Sequence, residues 1–260
     1  MSQIRVLRDG AVARLFLDRP DAGNAIDLPL AQALAAATAD CAEDPAIRCV
    51  VLSGTGRFFC VGGDVAAFAA AGDDAPHALK TLADTLHGAI LTLLGMRKPL
   101  IVLVNGPAAG AGLSLALLGD VVIAARSAHF TAAYTGIGLT PDGGMSWFLP
   151  RLIGLRRAQA MILTNQRVTA DEAVQIGLIT QVVADDDLVS AGDDLAGRLV
   201  AAPTAALGAT RGLLLAGTTA PLDVHLDSEA ATIAAAGAHV ESREGVAAFL
   251  ARRKPDFQGA

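Results

Sequence analysis

Two glycine-bearing turns constrain this chain most: Phe59-Cys60-Val61-Gly62-Gly63-Asp64 and Asn105-Gly106-Pro107-Ala108-Ala109-Gly110-Ala111-Gly112. Each follows an apolar, strand-like run (Cys49 to Ser53, then Leu100 to Val104) and opens a helix-like stretch. Glycine lets backbone N–H groups approach a ligand, because no side chain stands in the way. The first turn of a helix adds unpaired N–H groups at the positive end of its dipole. Two such turns facing one cavity would hold a single oxyanion between them, which suits chemistry that builds charge on a carbonyl oxygen.

The strand–turn–helix rhythm extends beyond these turns. Val6 to Leu17 reads as a strand pair turning at Asp9-Gly10, Leu28 to Ala42 as a helix, and Val121 to Ala125 as a further strand. Leu79, Leu82, Leu86, Ile90 and Leu94 lie on one face of a helix over 78–94. Small and acidic residues make 67–76 read as a loop, a mobile flap over a site. The second turn leads into a helix to about Leu118. This alternation predicts an α/β layered core. From about residue 186 strand signals fade, and 188–201, 205–216, 222–236 and 243–251 have helical character. The division expected is an α/β core at 1–199 and a helical segment at 200–260, with alanine-rich helices suited to docking on another subunit or on their own core.

Composition restricts the partners. Lys+Arg 20 against Asp+Glu 26 gives a net charge of −6, which argues against general affinity for nucleic acid. No apolar run is long enough to span a bilayer, and the first residues lack the apolar core of a signal peptide. Cys41, Cys49 and Cys60 are odd in number and lack metal-ligand spacing. They read as reduced, buried thiols in a cytoplasmic protein, and no metal site is expected.

Local motif readings of the second turn fail or stay open. A dinucleotide fingerprint needs a third glycine where Leu115 stands, and the lysine of a phosphate loop is missing. Gly112-Leu113-Ser114-Leu115-Ala116 is similar to a nucleophile elbow, but no histidine neighbours it in sequence, and Ser114 reads equally as a small packing residue.

Taken in order and spacing, the motifs resemble the crotonase (enoyl-CoA hydratase/isomerase) superfamily over nearly the full length. The resemblance rests on Leu17-Asp18-Arg19-Pro20 with Asn24-Ala25, both glycine turns, Lys98-Pro99-Leu100-Ile101, and Gly119-Asp120 with Ala124-Ala125. It continues through Pro141-Asp142-Gly143-Gly144, Gln175-Ile176-Gly177-Leu178 and Arg243-Glu244-Gly245-Val246. It implies a spiral of ββα units with a helical C-terminal segment, assembled as a trimer or a dimer of trimers, and a coenzyme A thioester as substrate with no separate cofactor. It also implies that the N–H groups of Gly63 and Ala111 form an oxyanion hole. The backbone around Val61 and Asp64 would receive the adenine end, and Arg252, Arg253 and Lys254 the phosphates. Arg57, Arg97 and Lys98 are further basic residues near that expected site.

Departures from the hydratase pattern bear on the subtype. Where typical hydratases of the family carry two glutamates, this chain has Ser114 and Tyr134, and neither hydroxyl is a good base near neutral pH. Asp142 stands where isomerases similar to the 1,2-epoxyphenylacetyl-CoA isomerase branch carry an aspartate. One base suffices to move a double bond from the 3,4 to the 2,3 position, taking a proton from C2 and returning it to C4. The competing reading of Asp142 is the N-cap of the helix after Gly143-Gly144, and the resemblance favours the catalytic role. A hydratase drawing water through Asp142, a thioesterase using Ser114 or water, and an inert CoA-binding homologue are the alternatives.

Overall fold

The computed structural model describes residues 3–259. Strands β1 (Ile4–Asp9) and β2 (Val12–Leu17) form an antiparallel hairpin. Helix α1 (Leu28–Glu43) follows, with Asp27 as N-cap accepting the Leu30 N–H at 2.9 Å. Strand β3 (Cys49–Gly54) then lies parallel to β2. Helices α2 (Val65–Ala70) and α3 (Ala75–Gly95) lead to β4 (Leu100–Val104), parallel to β3. Strand β5 (Ala108–Ala109) and helix α4 (Ala111–Ala116) form the second glycine turn, followed by β6 (Val121–Ala125) and β7 (His129–Thr131). Then come α5 (Met145–Ile153), α6 (Leu155–Leu163), β8 (Val168–Thr169), α7 (Ala170–Gln175) and β9 (Gln181–Val183). Helices α8 (Leu188–Val200), α9 (Thr204–Gly217), α10 (Leu222–Gly237) and α11 (Val240–Leu250) complete the order.

The strands make two sheets, a six-stranded one in the order β1-β2-β3-β4-β6-β9 and a three-stranded one in the order β5-β7-β8. Every residue of β3 and β4 is buried, as expected for parallel strands covered on both faces. Their side chains alternate between two apolar layers. Val50, Leu52, Leu100, Val102 and Val104 face the larger core, which includes α1 and α3. Cys49, Val51, Ile101 and Leu103 face the other side, where α8 covers them through Leu188, Ala196 and Val200. Gly192 of α8 sits where an added Cβ would meet Leu103 Cδ1 at 2.5 Å, so this helix rides close on the sheet.

Three expectations change. Residues 67–76 are not a loop: Asp64 caps α2 by accepting the Ala67 N–H at 3.2 Å, a short turn follows at Gly72–Asp74, and α3 begins at Ala75 with Pro76 in its first turn. Alanine is the strongest helix former, and with a capping aspartate a small-residue stretch becomes helix. Helix α4 stops at Ala116, short of Leu118. Lys98 is not free to serve the expected coenzyme site, since it is 8% exposed. Its Nζ donates to the carbonyls of Cys41, Ala42 and Asp44, at 2.5, 3.2 and 2.6 Å, satisfying the orphan acceptors at the end of α1.

The helices after Pro203 are tied to the core by polar anchors. Arg211 of α9 pairs with Asp120 and donates to the carbonyls of Leu93 and Met96. Glu241 of α11, nearly buried, accepts from Arg48 at 3.3 Å and from the Ala205 N–H at 2.9 Å. Leu214, Leu222, Ile233, Phe249 and Leu250 on these helices are each more than 70% exposed. Among the described residues no single helix is long and apolar enough to cross a membrane.

Candidate active site

The first glycine turn is held by two asparagines. Asn24, at φ 56°, donates its Nδ2 to the carbonyls of Thr55, Phe58 and Phe59 at 2.9, 2.8 and 3.1 Å. Asn105 accepts the Gly54 N–H at 3.1 Å and donates to the carbonyls of Gly56 and Phe58. These bonds explain why the Asn24-Ala25 and Asn105-Gly106 pairs accompany the glycines.

The two turns are also stitched to each other. Cys60 donates its N–H to the Pro107 carbonyl at 3.2 Å and accepts that of Ala109 at 2.9 Å. On the other flank Ile26 donates to the Gly62 carbonyl at 2.7 Å and accepts the Asp64 N–H at 2.9 Å. In this parallel bridge between Ile26 and Gly63, residues 62 and 64 supply the bonds. The N–H of Gly63 therefore points away from Ile26. The second turn lies near: a Cβ on Gly62 would stand 3.5 Å from the Ala111 nitrogen. Gly112 is required for the same closeness, since its Cβ would meet the Cys60 carbonyl oxygen at 2.2 Å. Ala111 is the first residue of α4, so its N–H has no partner within that helix.

Both residues line one cavity of about 390 Å³, together with Val61, Tyr134 and Asp142. Apolar side chains of α2 and α3, among them Phe68, Leu82 and Leu86, supply much of the wall.

Asp142 enters this cavity on a turn that only glycine permits. Gly143 and Gly144 have φ of 62° and 81°, and a Cβ on Gly143 would lie 2.8 Å from Ser114 Cβ. The carboxylate does not cap α5. The helix begins after Gly144, and it is the Asp142 carbonyl that accepts the Met145 N–H at 3.1 Å. Instead Oδ1 accepts the Tyr134 hydroxyl at 2.5 Å. Burial and the neighbouring carboxylate push the Tyr134 phenol well above its ordinary range, so it stays a neutral donor. Ser114 is fully buried and donates its hydroxyl to the Asp142 carbonyl at 2.9 Å, so it anchors the turn and is not presented as a nucleophile.

Sequence reasoning missed His87. Its Nε2 accepts the Gly143 N–H at 3.1 Å and lies 3.9 Å from Asp142 Oδ2. The signal was the apolar stripe of α3, because His87 follows Leu86 on the flank that faces 141–144.

The expected coenzyme residues are only partly brought together. Val61 is at the cavity, whereas Asp64 caps α2 and pairs with Arg19 at 3.1 Å. Arg252, Arg253 and Lys254 lie exposed beyond α11, and none lines this cavity within the chain. Arg253 is held in a fork by Glu244 at 2.6 and 2.8 Å, and that guanidinium pulls the Glu244 carboxyl down to about 2. Arg57 stacks over Phe58 at 5.1 Å. Cys41, Cys49 and Cys60 are free and buried, and burial pushes the Cys49 and Cys60 thiols up to about 12.

A sheet-and-helix spiral with two apposed glycine turns above an apolar cavity is the crotonase fold. The chain belongs to the enoyl-CoA hydratase/isomerase family, whose model matches residues 8–260. It is 39% identical over 256 residues to the 1,2-epoxyphenylacetyl-CoA isomerase of Escherichia coli, covering 95% of each chain. It is 34% identical over 259 residues to the 2,3-dehydroadipyl-CoA hydratase of the same organism, covering 100% of each. The crystal structure of an enoyl-CoA hydratase from Polaromonas superposes with a TM-score of 0.93 at 33% identity, covering 97% of this chain and 98% of that one.

Proposed function

We propose that this protein is an enoyl-CoA isomerase acting on acyl-CoA thioesters, with Asp142 as its single acid–base group. The observation that carries this reading is the joint placement of Gly63, Ala111 and Asp142 on one cavity. The thioester oxygen accepts the N–H groups of Gly63 and Ala111. Asp142 Oδ2 takes a proton from C2 of a 3-enoyl thioester, and the electron pair delocalises over C2, C3, C4 and the thioester oxygen. The same proton then returns to C4, leaving the double bond between C2 and C3. The thioester oxygen bears much of the charge of this intermediate, and each backbone donor aimed at it is worth about 2.7–4 kcal/mol of barrier.

Tyr134 supports the assignment by occupying Oδ1 as a donor, which leaves Oδ2 for the substrate. Hydration is the second reading, favoured by the hydratase names of several relatives. It needs a second group to handle water, and Ser114 and Tyr134 already spend their protons on Asp142.

The C-terminal helices, with Leu222, Ile233 and Phe249 exposed, would associate into a trimer or a dimer of trimers. In that assembly Arg252, Arg253 and Lys254 would meet the coenzyme phosphates at a neighbouring subunit's cavity.

The test is incubation with trans-3-hexenoyl-CoA. Isomerisation gives the conjugated 2-enoyl thioester, seen as rising ultraviolet absorbance. Free coenzyme A or a 3-hydroxyacyl product without that rise contradicts the reading.

A further inference from the structure

Asp142 faces the cavity, which a bound acyl chain would fill and close to water. The His87 ring approaches the carboxylate from outside the cavity lining, with Nε2 at 3.9 Å from Oδ2, the same oxygen that takes the C2 proton. His87 is not among the residues lining the cavity, and its side chain is 43% exposed. Its Nε2 accepts the Gly143 N–H at 3.1 Å, so in this arrangement Nε2 carries a lone pair and the ring is not an imidazolium with both nitrogens donating. A nitrogen with a free electron pair thus stands beside the carboxylate, with a path to solvent outside the acyl cavity.

We infer that His87 is the residue through which Asp142 exchanges its proton with solvent while substrate is bound. This rests on the reading of Asp142 as the proton shuttle. After Asp142 has taken the C2 proton, the Oδ2–H bond breaks and an Nε2–H bond forms, in place of the Gly143 N–H contact. The products of this step are a carboxylate and an imidazolium. Being half-exposed, the ring turns outward and gives that proton to water, returning to neutral imidazole. The reverse sequence delivers a solvent proton to Oδ2 and from there to C4. No electrons change hands and one proton is exchanged for another. His87 touches neither substrate nor reacting carbon, so it acts through Asp142, and the Gly143 N–H sets how often it does so. Each turnover is then a competition between direct return of the C2 proton to C4 and loss through His87.

The experiment is turnover of trans-3-hexenoyl-CoA in deuterated water, with deuterium at C4 of the product counted per turnover by mass spectrometry and NMR. His87→Gln keeps an acceptor for the Gly143 N–H but cannot carry a proton. The expected result is a several-fold lower deuterium content per turnover in His87→Gln than in the unaltered protein. His87→Ala should show the same loss, with free imidazole restoring it. A general disturbance of the site would lower the rate without changing this ratio. The inference is overturned if His87→Gln product carries as much deuterium as the unaltered protein's, or if the latter's product carries none. Retained turnover in Asp142→Asn, or no turnover of the 3-enoyl thioester by the unaltered protein, would overturn the isomerase reading and this inference together.

Discussion

Tyr134 donates its hydroxyl to Asp142 Oδ1 at 2.5 Å, from a strand-to-helix loop eight residues upstream. That bond engages one of the two carboxylate oxygens with a neutral donor. A carboxylate at residue 134 would repel Asp142, whereas the neutral phenol donates to it.

Replacing Tyr134 by phenylalanine removes this bond and little else. A hydrogen bond to a charged group is worth about 1.5–3 kcal/mol, so kcat for 3-enoyl isomerisation should fall tenfold or more. The same loss acts on folding, so Tm should fall by a few degrees while the remaining ring keeps the packing. Steady-state kinetics with a thermal melt measure both, and an unchanged kcat would leave the tyrosine without a catalytic part.

Glycine positions give a contrasting pair. At Gly112 a Cβ collides with the Cys60 carbonyl at 2.2 Å, and neither backbone can yield without parting the two turns. Gly112→Ala should cost about 1–3 kcal/mol of stability and weaken acyl-CoA binding as well. At Gly88, inside α3, a Cβ meets nothing within 4 Å, so Gly88→Ala should stabilise by roughly 0.5–1 kcal/mol with the site untouched. Urea unfolding and calorimetric titration separate the two outcomes.

Glu241 is the link between the last helices and the core. With its partner Arg48 largely buried, removing one member strands the other charge. Glu241→Ala should destabilise by about 3 kcal/mol and also free the Ala205 N–H. Chemical denaturation reads the loss. A change within the error of the measurement would mean the pair is not formed.

The buried thiols set a pH limit. Cys49 and Cys60 rise from an ordinary 9.0 to about 12, first because burial disfavours the thiolate. From pH 9 to 12 the unfolded chain gives up these protons while the folded chain keeps them. The folded state then binds more protons, so its stability is full below 9 and falls as pH rises. Each thiol contributes a slope of about 1.4 kcal/mol per pH unit at most. Tyr134 acts in the same direction once unfolded phenols ionise. Melts recorded across this range under reducing conditions should show Tm falling steadily; a flat profile would contradict the burial of these groups.

Local pattern carried much of the architecture and the backbone half of the site. Apolar runs with glycine after them mark parallel strands feeding tight turns, and only glycine allows approaches such as that of Gly112 to Cys60. Asp142 stands out in the sequence only through the family resemblance, and the structure places it on the same cavity as Gly63 and Ala111. What stayed hidden depends on contacts far along the chain. His87 meets Gly143 only because α3 packs beside that turn, and one helix has no register against a distant loop. Lys98 reads in sequence as a basic residue near the coenzyme site, whereas three carbonyls from the end of α1 and just beyond it hold it in the fold. Composition misleads at 67–76, where small and acidic residues suggest a flap but form the end of a helix capped by Asp64, a short turn and the start of α3.

Replacing one atom at residue 142 addresses the central claim most directly. In Asp142→Asn the amide still accepts the Tyr134 hydroxyl but cannot take a proton from C2. Conversion of trans-3-hexenoyl-CoA should drop by about 10²–10⁴-fold, with acyl-CoA affinity nearly unchanged. Turnover within a few-fold of the unaltered protein would mean that the carboxylate is not the base.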